Sequence, residues 1–90
     1  MTKIVNKRTD FYDILICRPS TFGNPYIIGR DGTREQVIAK FKIYFEKKIE
    51  KDLQFRKEVL KLRGKRLGCF CKPNFACHGD VIKEWLDNNL

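Results

Sequence analysis

Histidine, methionine, tryptophan and proline are scarce in this chain, with one His, one Met, one Trp and three Pro in 90 residues. No apolar run approaches the roughly 20 residues that a membrane-spanning helix needs, which argues against a membrane partner. The first residues, Met1-Thr2-Lys3-Ile4-Val5-Asn6-Lys7, lack the apolar stretch of a signal peptide. No repeat, low-complexity segment or long linker divides the chain, so residues 1–90 are expected to form one domain. Together these absences point to the cytoplasm. In that reducing compartment four cysteines serve as thiols or metal ligands before they serve as disulfides.

Acid is scarce too. Eleven Asp or Glu stand against 19 Lys or Arg, a net charge of +8. Much of the excess falls between Arg34 and Arg66, where twelve basic residues meet five acidic ones. Such an excess raises the local concentration of anions: nucleic acid, nucleotides or phosphorylated metabolites. Aromatics in this stretch fall at core spacing, so a solvated helical face explains the charge as readily as a nucleic-acid surface does.

What is present reads as a small α/β layer. Residues 3–7 and 12–17 have strand character, the second through the apolar run Ile14-Leu15-Ile16-Cys17. Two prolines and Gly23-Asn24 make Arg18–Pro25 a fixed loop, Tyr26-Ile27-Ile28 a brief extended piece, and Gly29–Gly32 a turn. Thr33-Arg34-Glu35-Gln36 has the form of a capping box. The helix it opens carries Val37, Ile38, Phe41, Tyr44, Phe45 and Ile49 on one stripe. A second helix is expected from near Asp52 through Leu53, Val59, Leu60 and Leu62 to Gly64. A strand over 66–71 and a helix from about Gly79 bearing Val81, Ile82, Trp85 and Leu86 follow. The expected fold is a single α/β domain with a short, mostly parallel sheet and about three helices. If strands 13–17 and 66–71 run parallel side by side, the Arg18–Pro25 loop and the Lys72–His78 turn share one crevice.

Chemistry concentrates at that turn, where Cys69, Cys71, Cys77 and His78 fall within ten residues. Three uses remain open. Thiolate and imidazole form an ordinary zinc shell, and Cys69 and Cys71 point to the same face of a strand. Adjacent Cys77 and His78, however, diverge by about 100° on a helix. Alternatively, Cys77 at a helix start is a nucleophile activated by the helix dipole, with His78 as general acid–base. The bland reading makes Cys69 and Cys17 small core hydrophobes and His78 a cap, although His78 lies outside any apolar face.

Anion recognition is the favoured use. The start of the last helix offers backbone amides at Cys77, His78 and Gly79, and Gly79 allows close approach. Arg18 and Asn24 stand across the crevice, Arg34 sits against its own helix dipole, and Phe22 or Tyr26 can stack on a base. The function so derived is binding of a phosphate-bearing small molecule, a nucleotide or nucleotide derivative. The sites are Arg18, Phe22, Asn24, Tyr26, Thr33, Arg34, Cys71, Gly79 and Asp80. No cofactor is required. If catalysis follows, Cys77 and His78 carry it against a glycosidic or phosphate-linked bond; a sequestering protein fits equally well. The alternative is a zinc module, with Cys69, Cys71, Cys77 and His78 as ligands, that docks on nucleic acid or a host protein through its basic helices.

The order Arg18-Pro19, Gly23-Asn24-Pro25, Gly32-Thr33-Arg34, Gly64-Lys65, Cys69-x-Cys71 and Cys77-His78-Gly79-Asp80 resembles the domain-of-unknown-function family 4326 from about Ile14 to Leu86. That family comprises short proteins of phages, other viruses and prokaryotes. Phe22 stands where it has an aromatic before Gly-Asn-Pro, and Phe70 where it has one between the paired cysteines. Cys17 replaces its usual small residue before Arg-Pro, and the Lys72–Ala76 turn is slightly longer. The resemblance implies a viral or prokaryotic setting, with the host cytosol as the site of action if viral. It implies no reaction.

Overall fold

A computed structural model of the chain describes residues 2–18, 20–69 and 77–89. The elements in chain order are β1 (Lys3–Asn6), β2 (Ile14–Leu15), α1 (Arg34–Lys51), α2 (Leu53–Leu60), β3 (Arg66–Cys69) and α3 (His78–Asn88). The three strands form one sheet in the order β1-β3-β2, and both pairings are parallel. Parallel strands are usually buried on both faces, and central β3 keeps Leu67, Gly68 and Cys69 out of solvent. Asn6 pairs with Cys69 and Leu15 with Gly68, so all three strands end at one edge of the sheet. The α/β class and the parallel sheet agree with the sequence reading. The extended strand over 12–17 does not form at full length: pairing covers only Ile14 and Leu15, with two further bonds, from the Asp13 amide to the Arg66 carbonyl at 2.8 Å and from the Ile16 amide to the Gly68 carbonyl at 3.0 Å.

Thr33 caps α1 as its sequence foretells. Its hydroxyl accepts from the Gln36 amide at 3.2 Å, and the Gln36 side chain accepts from the Thr33 amide at 2.9 Å. Thr33→Ala is expected to cost about 1 kcal/mol, lowering the melting temperature by roughly 4–8 °C for a domain of this size. Thermal unfolding followed by circular dichroism checks this, and an unchanged midpoint would contradict it. Asp52 ends α1 and caps α2, its carboxylate accepting from the Phe55 amide at 3.0 Å. That cap sets the helix phase, so Phe55 and Val59 turn inward while Leu53 stays 69% exposed and Leu60 37%.

The core joins Phe41, Phe45 and Ile49 of α1, Phe55 and Val59 of α2, and Ile82 and Leu86 of α3 with Leu67 and Ile16 of the sheet layer. Phe45 meets Phe55 and Trp85 edge-on and stacks on Phe41. Gly79 lets α3 settle on the sheet: a Cβ there would lie 2.7 Å from Ile16 Cδ1 and 3.1 Å from Ile4 Cδ1. Gly64 has a φ of 79°, the left-handed conformation that ends the turn after α2. Among the described residues no helix is long and apolar enough to cross a membrane.

Candidate functional site

The parallel sheet delivers two segments to the same edge. The chain leaves β2 through Ile16 and Cys17 into the Arg18 loop, while β3 ends at Cys69 and α3 starts at His78. Between them lies a crevice of about 310 Å³. Cys17, Arg18, Asn24 and Tyr26 line it from the loop, and Cys69 and His78 from the sheet edge and helix start. Ile27 and Ile28 complete an apolar wall. Ligands of open α/β sheets bind at this edge, beyond the carboxyl ends of the strands.

The loop is braced from within. Arg18 Nη1 donates to the carbonyls of Asn24 at 3.1 Å and Tyr26 at 3.3 Å. Asn24 donates from Nδ2 to the Val37 carbonyl at 3.2 Å and accepts at Oδ1 from the Tyr26 amide at 2.9 Å. Both ends of the Asn24 amide are thus engaged, Nδ2 tying the loop to α1 and Oδ1 bracing the loop internally. Asp31 closes the neighbouring turn, accepting from the Ile27 amide at 2.8 Å and pairing with Arg30 at 2.8 Å. The Arg30 hydrogen bond, followed by that of the Ile27 amide, holds the Asp31 carboxyl below its ordinary pKa.

His78 is buried, contrary to the expectation of a residue outside the apolar face. Its Nε2 lies 2.8 Å from the Ile16 carbonyl, and the edge-on ring of Phe41 lies 5.1 Å away. A carbonyl only accepts, so Nε2 carries a proton. In the neutral ring Nδ1 is then an acceptor, 3.6 Å from Cys77 Sγ. Burial pushes the His78 pKa below its ordinary 6.5 against the carbonyls of Ile16 and Phe22, which favour the charged ring. The Arg18 guanidinium facing it adds to the lowering, and Asp80 opposes it. The unfolded chain therefore takes up a proton that the folded chain resists. Stability from this group is complete above about pH 6.5 and falls as pH drops below that value. Urea midpoints of metal-free protein should decline over that window, and His78→Gln should flatten the decline; equal slopes would contradict the assignment.

The start of α3 differs from the open anion seat that the sequence suggests. Cys77 is the N-cap, its Sγ accepting from the Gly79 amide at 3.3 Å. Asp80 Oδ2 accepts from the Cys77 amide at 3.0 Å. Two of the three expected amides are thus engaged by the chain itself, with a carboxylate beside them. Cys77 Sγ also lies at disulfide-bonding distance from Cys69 Sγ, a pairing ranked last among the expected thiol uses. Cys69 and Cys77 are buried, as is the free cysteine Cys17.

Of the expected site residues, the structure gathers Arg18, Asn24, Tyr26 and His78 around the crevice, with Cys77 behind His78. Phe22 packs instead against Phe55 and the core. Thr33 is the cap of α1, and Arg34 lies in its first turn; neither lines the crevice. Gly79 and Asp80 shape the helix start behind it. Cys71 lies outside the described residues, as does the 72–76 turn. Cys17, Ile27 and Ile28 are lining residues that the sequence reading passed over. The one available signal was an apolar Ile27-Ile28 pair beside Tyr26 in a loop with little strand pairing.

Cys69, Cys77 and His78 each offer a donor atom, all within 4.8 Å of one another, and so form a possible metal-binding group. A second cleft, of about 450 Å³, runs along α1 between Tyr26, Tyr44, Ile43 and the lysines 47, 48 and 51. Lys48 lies over the rings of Phe55 at 4.6 Å and Tyr44 at 5.6 Å.

Fold and site together define a small α/β protein with a Cys/His-lined crevice at the carboxyl edge of a parallel sheet. The chain belongs to the family described as domain of unknown function DUF4326, whose model matches residues 2–88. It is 40% identical over 83 residues to a protein of Enterobacteria phage T4 named as the uncharacterized 12.4 kDa protein in the nrdA-td intergenic region. The match covers 91% of this chain and 74% of the phage protein. No solved structure matches the chain.

Proposed function

We propose that the crevice binds a small phosphate-bearing molecule of nucleotide type. The observation that carries this reading is the meeting of Arg18 and His78 at one crevice beside the apolar and aromatic wall of Tyr26, Ile27 and Ile28. Arg18 spends Nη1 on the loop, and its other N–H groups have no partner among the described residues. A guanidinium fork suits phosphate oxygens, and Tyr26 offers a ring face to a base. The +8 charge draws anions toward the surface. The reading does not need the helix-start amides that Cys77 and Asp80 already engage.

Thermal-shift screening against mononucleotides, dinucleotides and inorganic phosphate tests it, because a ligand bound only by the native form raises its melting temperature. At least one nucleotide should do so. Arg18→Ala should weaken its binding about tenfold or more, the scale of one lost charge-assisted hydrogen bond. A flat panel would sink the reading.

A second reading, a zinc-bearing module that docks on nucleic acid, is favoured by the cleft where lysines 47, 48 and 51 surround Tyr26 and Tyr44. Basic side chains beside aromatic faces suit a single-stranded polyanion. It predicts affinity for oligonucleotides that falls steeply with salt; salt-independent binding would count against it.

A further inference from the structure

We infer that Cys69, Cys77 and His78 hold a thiophilic divalent cation, zinc, as a three-donor site whose remaining coordination position opens into the crevice and takes an anionic oxygen of the ligand. This rests on the crevice reading and gives it a metal anchor.

Four observations converge. The donor atoms of all three residues lie within 4.8 Å of one another. Cys77 Sγ and His78 Nδ1 are 3.6 Å apart. A sulfur at ~2.3 Å and a nitrogen at ~2.0–2.1 Å from one tetrahedral zinc stand about 3.5 Å apart. The Ile16 carbonyl takes the Nε2 proton, which leaves the Nδ1 lone pair on the side of the sulfurs. Metal-bound histidines are commonly held in this way through their second nitrogen. Finally, the Gly79 amide donates to Cys77 Sγ, which favours the thiolate that a metal needs.

The open position follows from placement. Cys69 and His78 line the crevice that Arg18 also lines, so an ion between them faces the same space as the guanidinium. Among the described residues the chain supplies three donors, and three protein donors with one exchangeable position are the usual arrangement of zinc sites that take a ligand. Metal binding displaces one proton from each thiol to solvent. A disulfide between the same sulfurs excludes the ion, and a dithiol reductant restores the site with two electrons and two protons per bond.

The test uses the full chain, reduced with dithiothreitol and titrated with cobalt(II), whose visible bands report thiolate ligation and coordination number. One cobalt per chain with thiolate-to-metal bands is expected, with zinc displacing it stoichiometrically. Inorganic phosphate or adenosine monophosphate should then change the ligand-field bands, and Arg18→Lys should weaken that response about tenfold without altering the metal stoichiometry. Failure of the reduced wild-type chain to bind cobalt overturns the inference, as does a cobalt spectrum indifferent to both anions. The same titration of metal-free protein with the nucleotide found in screening separates the two ideas. Binding there without cobalt uptake defeats the metal site and spares the crevice, and no binding with or without cobalt defeats both.

Discussion

Phe45→Ala is expected to cost about 3–5 kcal/mol, the usual scale for truncating a fully buried phenylalanine. Small domains hold only about 5–15 kcal/mol in total, so the variant should be partly unfolded near body temperature. Phe45 is fully buried, and its ring touches Phe41, Phe55 and Trp85, so one side chain binds all three helices together. The crevice depends on it indirectly, because Asn24 ties the Arg18 loop to the Val37 carbonyl on the same α1. Urea unfolding measures the loss. Leu53→Ala, at a position 69% exposed, is the matched control and should stay within about 0.5 kcal/mol of the parent. Equal costs at the two positions would contradict the packing described.

Removing His78 should have the next largest effect, and in two separable ways. His78→Ala leaves the buried Ile16 carbonyl without its 2.8 Å partner, at a cost of about 1–3 kcal/mol. It also deletes one of the three donors of the proposed metal site and should lower cobalt or zinc affinity by at least about a hundredfold, since even second-sphere changes cost about 10–100-fold. His78→Gln keeps a donor amide for the carbonyl, so it should recover part of the stability and none of the metal affinity. Parent-like metal binding in His78→Gln would show that the ring is a structural strut alone. Urea midpoints and cobalt titration on the same samples read the two effects independently.

Much of the fold was legible because local signals and tertiary packing agree. The Thr33–Gln36 box starts α1, and the stripe of Val37, Phe41, Phe45 and Ile49 is the buried face. The parallel pairing of β2 and β3, inferred from two apolar runs, brings Arg18 and His78 to one crevice. Less legible were features set by long-range contact. Leu53 and Leu60 match an apolar pattern, yet the Asp52 cap rotates α2 so that Phe55 takes the inner place. Asn24 looks like a ligand reader, but a carbonyl thirteen residues away engages its amide. His78 stands beside polar residues in sequence and is buried only because Phe41 and Ile16 arrive from elsewhere. A thiol acting as N-cap for α3 carries no established sequence signature, since serine, threonine, aspartate and asparagine dominate that role.

The site stands or falls on whether the loop after β2 and the start of α3 receive one ligand together. The most direct measurement is a nitrogen-15 correlation spectrum of the labelled chain during titration with the nucleotide that most raises its melting temperature. Saturable shifts should concentrate at Arg18, Tyr26, Ile28 and His78, with Leu53 and Asp87 on other faces unmoved. Shifts confined to the lysine-lined face of α1, with Arg18 and His78 silent, would place the ligand elsewhere and contradict the account.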